Sequence, residues 1–160
     1  MTESRIEARI RELGYELPVA PAPVAAYVPA VTSGSYVYTS GQLPFVDGAL
    51  PETGKVSDSG AEDFVTPEDA KKYAGICLLN ALAAVKSVIG DLDRVQRVVK
   101  VVGFVASEVN FTAQPAVING ASELLGEIFG EAGQHARSAV GVPVLPLDSP
   151  VEVEIIVEYV

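Results

Sequence analysis

The last segment of the chain constrains the fold most strongly, because its apolar and charged residues alternate. Val151, Val153, Ile155, Val157 and Tyr159 are interleaved with Glu152, Glu154, Ile156 and Glu158. Successive side chains of a β-strand point to opposite faces of the sheet, so this period of two predicts a strand with one covered face. We expect helices to cover the valine face and the glutamate face to stay open to association.

Two amphipathic helices are predicted to supply that cover. The first begins at Thr66-Pro67-Glu68-Asp69, which combines an N-cap, a proline in the first turn and acids at the positive end of the helix dipole, and it is predicted to run to Gly90. The second is predicted from near Gln114 to just before Gly130. Both carry apolar residues at helical spacing, and this pattern makes Cys77 a core residue.

The remaining segments complete a β-β-α-β-α-β-β order. Residues 21–31 and 35–44 are predicted as a hairpin turning at Gly34-Ser35, residues 95–107 as a strand and residues 136–145 as another. Residues 45–65 are predicted as a loop with at most one short strand. This order predicts an α+β fold in a single domain spanning residues 1–160, with both helices on one side of a sheet.

An N-terminal extension, residues 1–18, precedes this pattern. Ser4 and Glu7 fit a capping box, and Gly14 and Pro18 end the apolar periodicity, so residues 4–13 are predicted as a short amphipathic helix. We expect this helix to act as a lid or prop for the rest of the domain.

Composition excludes several classes of function. The formal net charge is −10, from 21 acidic and 11 basic residues without a basic cluster, and such a field repels phosphate backbones; nucleic acid is not expected as a partner. The single cysteine gives no intrachain disulfide, the N-terminus lacks the apolar run of a signal peptide, and no segment approaches a membrane span. We therefore expect a cytoplasmic protein that does not bind membranes.

The residues available for chemistry are few. With one histidine and one cysteine the chain cannot assemble a His/Cys metal cluster, and it contains neither a P-loop nor a dinucleotide-binding fingerprint, so no metal or organic cofactor is expected. Arg137 opens an otherwise apolar strand, where a guanidinium needs an anionic partner, either from the protein or from a substrate. This set of residues suits a small anionic substrate.

Several motifs make residues 21–160 resemble a known family. They are Tyr27, "TSGQLP" at 39–44, Asn119, "ARS" at 136–138, "LP" at 145–146 and "VEVE" at 151–154. Their order and spacing resemble those of the Rid family of reactive-intermediate deaminases, also called YjgF-like proteins and, in older labels, L-PSP endoribonucleases. The N-terminal helix and the long loop before Thr66 suggest one of the longer subgroups.

The resemblance implies a chorismate-mutase-like fold that assembles as a homotrimer, with ligand sites in clefts between subunits. It also implies hydrolysis of 2-imino or enamine acids to 2-keto acids and ammonia without a cofactor. The family's carboxylate-binding arginine corresponds to Arg137 and its water-handling glutamate to Glu152. Its substrate pocket corresponds to Tyr27, Ser40, Gly41, Asn119 and Ala139.

Two positions depart from the family pattern, and each candidate residue also has a purely structural interpretation. The frequent "PAR" is His135-Ala136-Arg137 here, and Ala139 replaces a common cysteine, so substrate identity does not carry over. Arg137 could instead form an intersubunit salt bridge, Glu152 could lie on a solvated strand face, and Ser40-Gly41 could be an ordinary turn. Tyr27, Asn119 and His135 could be ordinary strand, helix and loop residues.

Three functions therefore remain open from the sequence. The first is an imine or enamine deaminase in which Arg137 binds the substrate carboxylate and Glu152 positions water. The second is a non-catalytic binder of small carboxylates, or a chaperone-like trimer, that needs Arg137 and the cleft alone. The third is an endoribonuclease, which the strongly negative charge disfavours.

Overall fold

A five-stranded mixed sheet forms the centre of the fold. The computed structural model describes residues 3–20 and 26–160. Along the described chain the elements are α1 (Arg5–Glu12), β1 (Ala30–Ser33), β2 (Tyr36–Thr39), α2 (Pro67–Ile89), β3 (Val95–Ala106), α3 (Gln114–Phe129), β4 (Ala136–Val142) and β5 (Val151–Tyr159). The fold is α+β, and its element order is the one that the sequence predicts.

The strands lie in the order β1-β2-β5-β3-β4. Only β3 and β4 run parallel, and α3 is the crossover between them; every other neighbouring pair is antiparallel. Although β4 and β5 follow each other in the chain, β3 lies between them. β4 is consequently an edge strand, and the register aligns Arg137 with Val101 and Val101 with Ile155.

Both long helices cover one face of the sheet, as the alternation in β5 predicts. Val151, Val153, Ile155 and Val157 are buried, whereas Glu152, Glu154, Ile156 and Glu158 between them are half-buried on the other face. α2 and α3 also pack on each other, where Gly120 lies so close to the backbone of Lys71 that a Cβ would overlap it. We call the uncovered side, which carries these glutamates, the open face.

The ends of α2 match their sequence signals. The Thr66 hydroxyl accepts a hydrogen bond from the backbone N–H of Asp69 (3.1 Å), and Gly90 ends the helix with φ +84°. Among the helices in the described ranges, α2 alone is long and apolar enough to cross a membrane. This finding qualifies the expectation that no segment approaches a membrane span. In this fold α2 is the core helix, with Cys77 and Leu78 fully buried.

The N-terminal helix α1 is held on the body of the protein by Asp93. The carboxylate of Asp93 accepts hydrogen bonds from the Ser4 hydroxyl (2.9 Å) and from the backbone N–H groups of Arg5 (3.0 Å) and Ile6 (2.9 Å). Ile10 is fully buried, and Lys86 of α2 donates to Glu7 (2.6 Å). These contacts make α1 a prop packed against the helices.

The N-terminal hairpin is shorter than the sequence predicts. β1 begins at Ala30, so Tyr27 lies in a bend before the strand, and residues 21–25 of the predicted strand fall outside the described residues. The turn at Gly34-Ser35 is confirmed, with Ser33 paired to Tyr36 and Gly34 at φ +57°. In the apolar run after Arg137, Val140 is 44% exposed because it lies on the open face, and Val144, in the segment after β4, is 65% exposed.

Candidate functional site

The candidate residues occupy two separate places in one chain. Arg137 shares a face with its register partner Val101, which is buried under the helices, whereas Glu152 pairs with Phe104 on the open face. One strand lies between β4 and β5, and Arg137 aligns with Ile155, further along β5 than Glu152. With strands about 4.8 Å apart and residues about 3.3 Å apart, the two Cα atoms are roughly 14 Å apart.

Arg137 is held by two side chains of α3. Its Nη1 donates to Oδ1 of Asn119 (2.7 Å) and to Oγ of Ser122 (3.2 Å). Asn119 and Ser122 are three positions apart on the helix and so lie on the same face. Ala139 is two residues beyond Arg137 on the same face of β4, paired with Gly103. We call Arg137, Asn119, Ser122 and Ala139 the arginine half-site.

The guanidinium of Arg137 has no carboxylate partner within residues 3–20 and 26–160. Every ion pair found there involves other residues. Its Nε and Nη2 make no hydrogen bond to the described part of the chain either, although the side chain is half-buried. A half-buried guanidinium with one unoccupied edge is suited to gripping a planar anion through two parallel hydrogen bonds.

His135, in the loop before β4, belongs to the surroundings of Arg137. Its Nδ1 lies 2.6 Å from the carbonyl oxygen of Gly133, and its Nε2 lies 2.9 Å from Oγ of Ser122. His135 does lie in the loop before β4, as one interpretation of the sequence has it, but its ring is half-buried. The ring is hydrogen-bonded at both nitrogens, and Ser122 links it to Arg137.

Glu152 lies beside the segment that follows β2. A Cβ built on Gly41 would overlap Oε1 of Glu152 and lie 2.8 Å from its Cδ, so the absence of a side chain at Gly41 leaves the space that the carboxylate fills. Ser40 donates its hydroxyl to the carbonyl oxygen of Val28 (2.6 Å), next to Tyr27, which is 63% exposed. We call Glu152, Gly41, Ser40 and Tyr27 the glutamate half-site.

Backbone and side-chain hydrogen bonds fix the Ser40-Gly41 segment. Gln42 exchanges two backbone hydrogen bonds with Val153, at 2.8 and 3.0 Å. The buried side chain of Asn80, on α2, donates to the carbonyl oxygens of Leu43 (3.0 Å) and Phe45 (3.2 Å). The segment therefore keeps a defined position beside β5, and Gly41 stays against the glutamate.

The carboxyl group of Glu152 is electrostatically perturbed. Burial, and secondly the negative charge of Glu154 on the same face, raise the pKa of Glu152 above its ordinary value of 4.5. A carboxylate with a raised pKa takes a proton more readily than an ordinary glutamate, which suits a general base. In the residues that the structure covers, no group of three or more His, Cys, Asp or Glu side chains is arranged to hold a metal ion.

Ser122 is the contact that the sequence did not single out. The available signal was its spacing, one helical turn after Asn119, combined with a histidine and an arginine at the start of the next strand. That signal becomes specific only when α3 is known to lie against β4.

Comparisons with known proteins agree with this architecture. A family model described as "YjgF/chorismate_mutase-like, putative endoribonuclease" matches residues 7–159. Protein TCP17 of Trypanosoma cruzi is 42% identical over 159 residues, covering 99% of this chain and 96% of that protein. The crystal structure of Atu1372 from Agrobacterium tumefaciens, of unknown function, superposes with a TM-score of 0.88 at 46% identity, covering 98% of this chain and 93% of that one.

A more distant relative has a name that states a function. The "Putative reactive intermediate deaminase TdcF" of Escherichia coli is 32% identical over 142 residues, covering 86% of this chain and 89% of that protein. Its crystal structure with bound serine superposes with a TM-score of 0.62 at 26% identity, covering 88% of this chain and 94% of that one. On the strength of the family model, these relatives and the shared fold, this chain belongs to the Rid/YjgF family of chorismate-mutase-like proteins.

Proposed function

We propose that this protein hydrolyses small 2-imino or enamine acids to 2-keto acids and ammonia. The observation that carries the proposal is the unpaired edge of Arg137, a half-buried guanidinium without a carboxylate partner in the described residues. A 2-imino acid supplies that partner, because its carboxylate accepts two parallel hydrogen bonds and the adjacent C2 is then fixed in position.

Glu152 is the residue proposed to handle water. In the hydrolysis, water oxygen bonds to C2 of the imine, the C2–N bond breaks after nitrogen has gained protons, and ammonia leaves while C2 becomes a carbonyl carbon. A carboxylate with a raised pKa can take the proton from the attacking water and return it to nitrogen, so it ends the cycle unchanged. The reaction needs neither an oxidant nor a reductant.

A neighbouring copy is proposed to bring the two half-sites together. In one chain they start from opposite faces of the sheet, so Arg137 of one subunit would meet Glu152 of the next in a homotrimer. The exposure of apolar residues on the open face supports association, since Tyr38 and Val140 are 42% and 44% exposed. Tyr27, Ser40 and Gly41 would then complete the pocket beside Glu152, and Asn119 and Ala139 beside Arg137.

The relatives support the ligand class. TdcF carries the name of a reactive intermediate deaminase and was crystallised with serine, which contains a carboxylate next to a nitrogen-bearing carbon. A 2-imino acid has the same carboxylate and the same position of nitrogen. Cytoplasmic location and the absence of a cofactor remain predictions from the sequence.

A non-catalytic binder of small carboxylates is the second candidate, because the arginine half-site alone would suffice for it. The family description also includes the word endoribonuclease, yet a net charge of −10 without a basic cluster opposes binding of RNA phosphates. The deaminase test generates 2-iminobutanoate or 2-iminopropanoate with a threonine or serine dehydratase and follows its decay. Imine decay no faster with the protein than without it would contradict catalysis, and calorimetry with 2-oxobutanoate would then test the binder.

A further inference from the structure

A chain of hydrogen bonds connects Arg137 to the backbone of the loop after α3. Nη1 of Arg137 donates to Oγ of Ser122 (3.2 Å), Oγ of Ser122 lies 2.9 Å from Nε2 of His135, and Nδ1 of His135 lies 2.6 Å from the carbonyl oxygen of Gly133. Ser122 is on α3, and His135 immediately precedes β4. The chain thus joins the helix to the edge strand at the guanidinium.

Donor and acceptor chemistry gives each of these hydrogen bonds a direction. A carbonyl oxygen accepts only, so Nδ1 of His135 carries the proton that is donated to Gly133. In the neutral ring Nε2 then has a lone pair, and the Ser122 hydroxyl donates to it. The remaining lone pairs of Ser122 Oγ are then free to accept the hydrogen bond from Nη1 of Arg137.

The far end of this chain is rigid. Gly133 is buried, and a Cβ on it would overlap the carbonyl oxygen of Leu125 in α3, so the loop lies directly against the helix. Nη1 of Arg137 is consequently held at two points, by Ser122 and by Asn119. This arrangement leaves Nε and Nη2, which have no hydrogen-bond partner in the described residues, as an edge with two parallel donors.

We infer that Ser122 and His135 are positioning residues that hold the Arg137 guanidinium in the orientation that binds a carboxylate. Neither needs to touch the ligand, since both act through Nη1. The inference rests on the proposed function for its ligand, a small 2-keto or 2-imino acid. The orientation of the guanidinium in the ligand-free protein does not depend on that function and is measured separately.

Three substitutions separate positioning from a general structural role. Ser122→Ala removes the hydroxyl that accepts from Arg137. His135→Asn places an amide N–H near the position of Nδ1 and keeps donation to Gly133, but it leaves Ser122 without its acceptor. His135→Gln reaches the position of Nε2 with an amide oxygen and restores that acceptor. Ser87→Ala is the matched control, because Ser87 lies on α2 and its hydroxyl donates to the carbonyl of Ala84.

The first measurement is NMR of the Arg137 side chain, which reports rotation of the guanidinium about its Nε–Cζ bond. The second is the Kd for 2-oxobutanoate by calorimetry. Ser122→Ala and His135→Asn are expected to speed the rotation. They should also raise the Kd about five- to tenfold, because a less well oriented guanidinium binds the carboxylate more weakly. His135→Gln and Ser87→Ala are expected to stay within about twofold of the unsubstituted protein in both measurements.

Unchanged rotation and unchanged Kd in both Ser122→Ala and His135→Asn would overturn the inference, provided that circular dichroism shows both variants folded. The inference would also be overturned if His135→Gln and His135→Asn raised the Kd equally. Restoring an acceptor for the Ser122 hydroxyl would then make no difference. If the unsubstituted protein bound no 2-keto acid, the proposed function would fail. In that event the rotation measurement alone would decide whether Ser122 and His135 hold Arg137.

Discussion

Arg137 is the single residue on which the proposed chemistry depends most. Its charge is half-buried, it is held by neutral acceptors, and in the described chain it has no carboxylate partner. A half-buried charge without a counter-ion carries a desolvation cost, which an anionic ligand would offset.

Replacing Arg137 by lysine tests this role. Lysine keeps the charge but loses the planar fork, so we expect the enzyme-dependent rate of imine decay at low substrate to fall by at least about tenfold while the fold survives. The coupled dehydratase assay measures the rate, and circular dichroism checks the fold. Arg11→Lys, at an exposed arginine of α1, is the matched control and should match the unsubstituted protein. An Arg137→Lys variant as active as that control would exclude Arg137 as the carboxylate anchor.

Replacing Glu152 by glutamine separates catalysis from binding. The amide has nearly the shape of the carboxylate but cannot accept a proton from water, so imine decay should slow by about a hundredfold or more. The Kd for 2-oxobutanoate should change little, because Arg137 is intact. Full activity in Glu152→Gln would show that another group activates the water.

The pH dependence of the rate gives a further test of Glu152. A base works only when deprotonated, and burial together with Glu154 raises the pKa of Glu152 above 4.5, so the rate should fall on the acidic side at a higher pH than for an ordinary glutamate. Glu154→Gln removes one cause of the shift, and it should move this acidic limb to lower pH while leaving activity near pH 8 intact. An unmoved limb in that variant would assign the titration to a different group.

Among the elements, the segment after β2 positions the glutamate half-site through close packing. Gly41→Ala inserts a methyl group where Oε1 of Glu152 lies, so the carboxylate must move. We expect a lower rate of imine decay and a loss of stability of about 1–3 kcal/mol, the usual range for overpacking. Gly126→Ala in α3 is the control, since no atom lies within 4 Å of its added Cβ. Measured by urea unfolding, this control should gain about 0.5–1 kcal/mol.

The N-terminal helix α1 depends on Asp93. Desolvation by itself would raise the pKa of Asp93. Hydrogen bonds from the backbone of Ile6 and Arg5 and from the Ser4 hydroxyl outweigh it and lower this pKa to about 2, against an ordinary value of 3.8. Because the folded-state pKa is depressed, this stabilisation is fully present above pH 3.8 and is lost as pH falls toward 2.

Asp93→Ala should therefore lower the free energy of unfolding by about 1–2 kcal/mol near pH 6, the usual size of a lost helix cap. The difference from the unsubstituted protein should shrink as the pH approaches 2, which urea titrations at several pH values would measure. Asp58→Ala, at an exposed aspartate, is the control and should show no such dependence. A pH-independent loss in Asp93→Ala would assign the effect to packing instead.

For the molecule as a unit, the two half-sites on opposite faces make assembly the central question. We expect light scattering to give a mass near three times 16.7 kDa at micromolar concentration. The exposed apolar side chains of the open face, Tyr38 and Val140 among them, would be buried in such an assembly. A monomer at this concentration would remove the proposed intersubunit site.

Local signals in the sequence were sufficient for the elements of this fold. The N-cap at Thr66 and the stop at Gly90 gave the bounds of α2, and the alternation in β5 gave a sheet covered on one face. These predictions succeed because capping and side-chain periodicity depend on neighbours within a few residues. The prediction that Tyr27 lies in a strand is wrong for the same reason. The apolar residues around it have the local pattern of a strand, but β1 begins three residues later.

The arrangement of the candidate site depended on contacts between distant segments. Nothing in the sequence shows that β3 lies between β4 and β5, yet this order puts one strand between Arg137 and Glu152, and the register puts them on opposite faces of the sheet. Likewise, Ser122 and His135 meet Arg137 only because α3 packs against β4. Such contacts follow from how whole elements bury their apolar faces together, and no local pattern of residues encodes that packing.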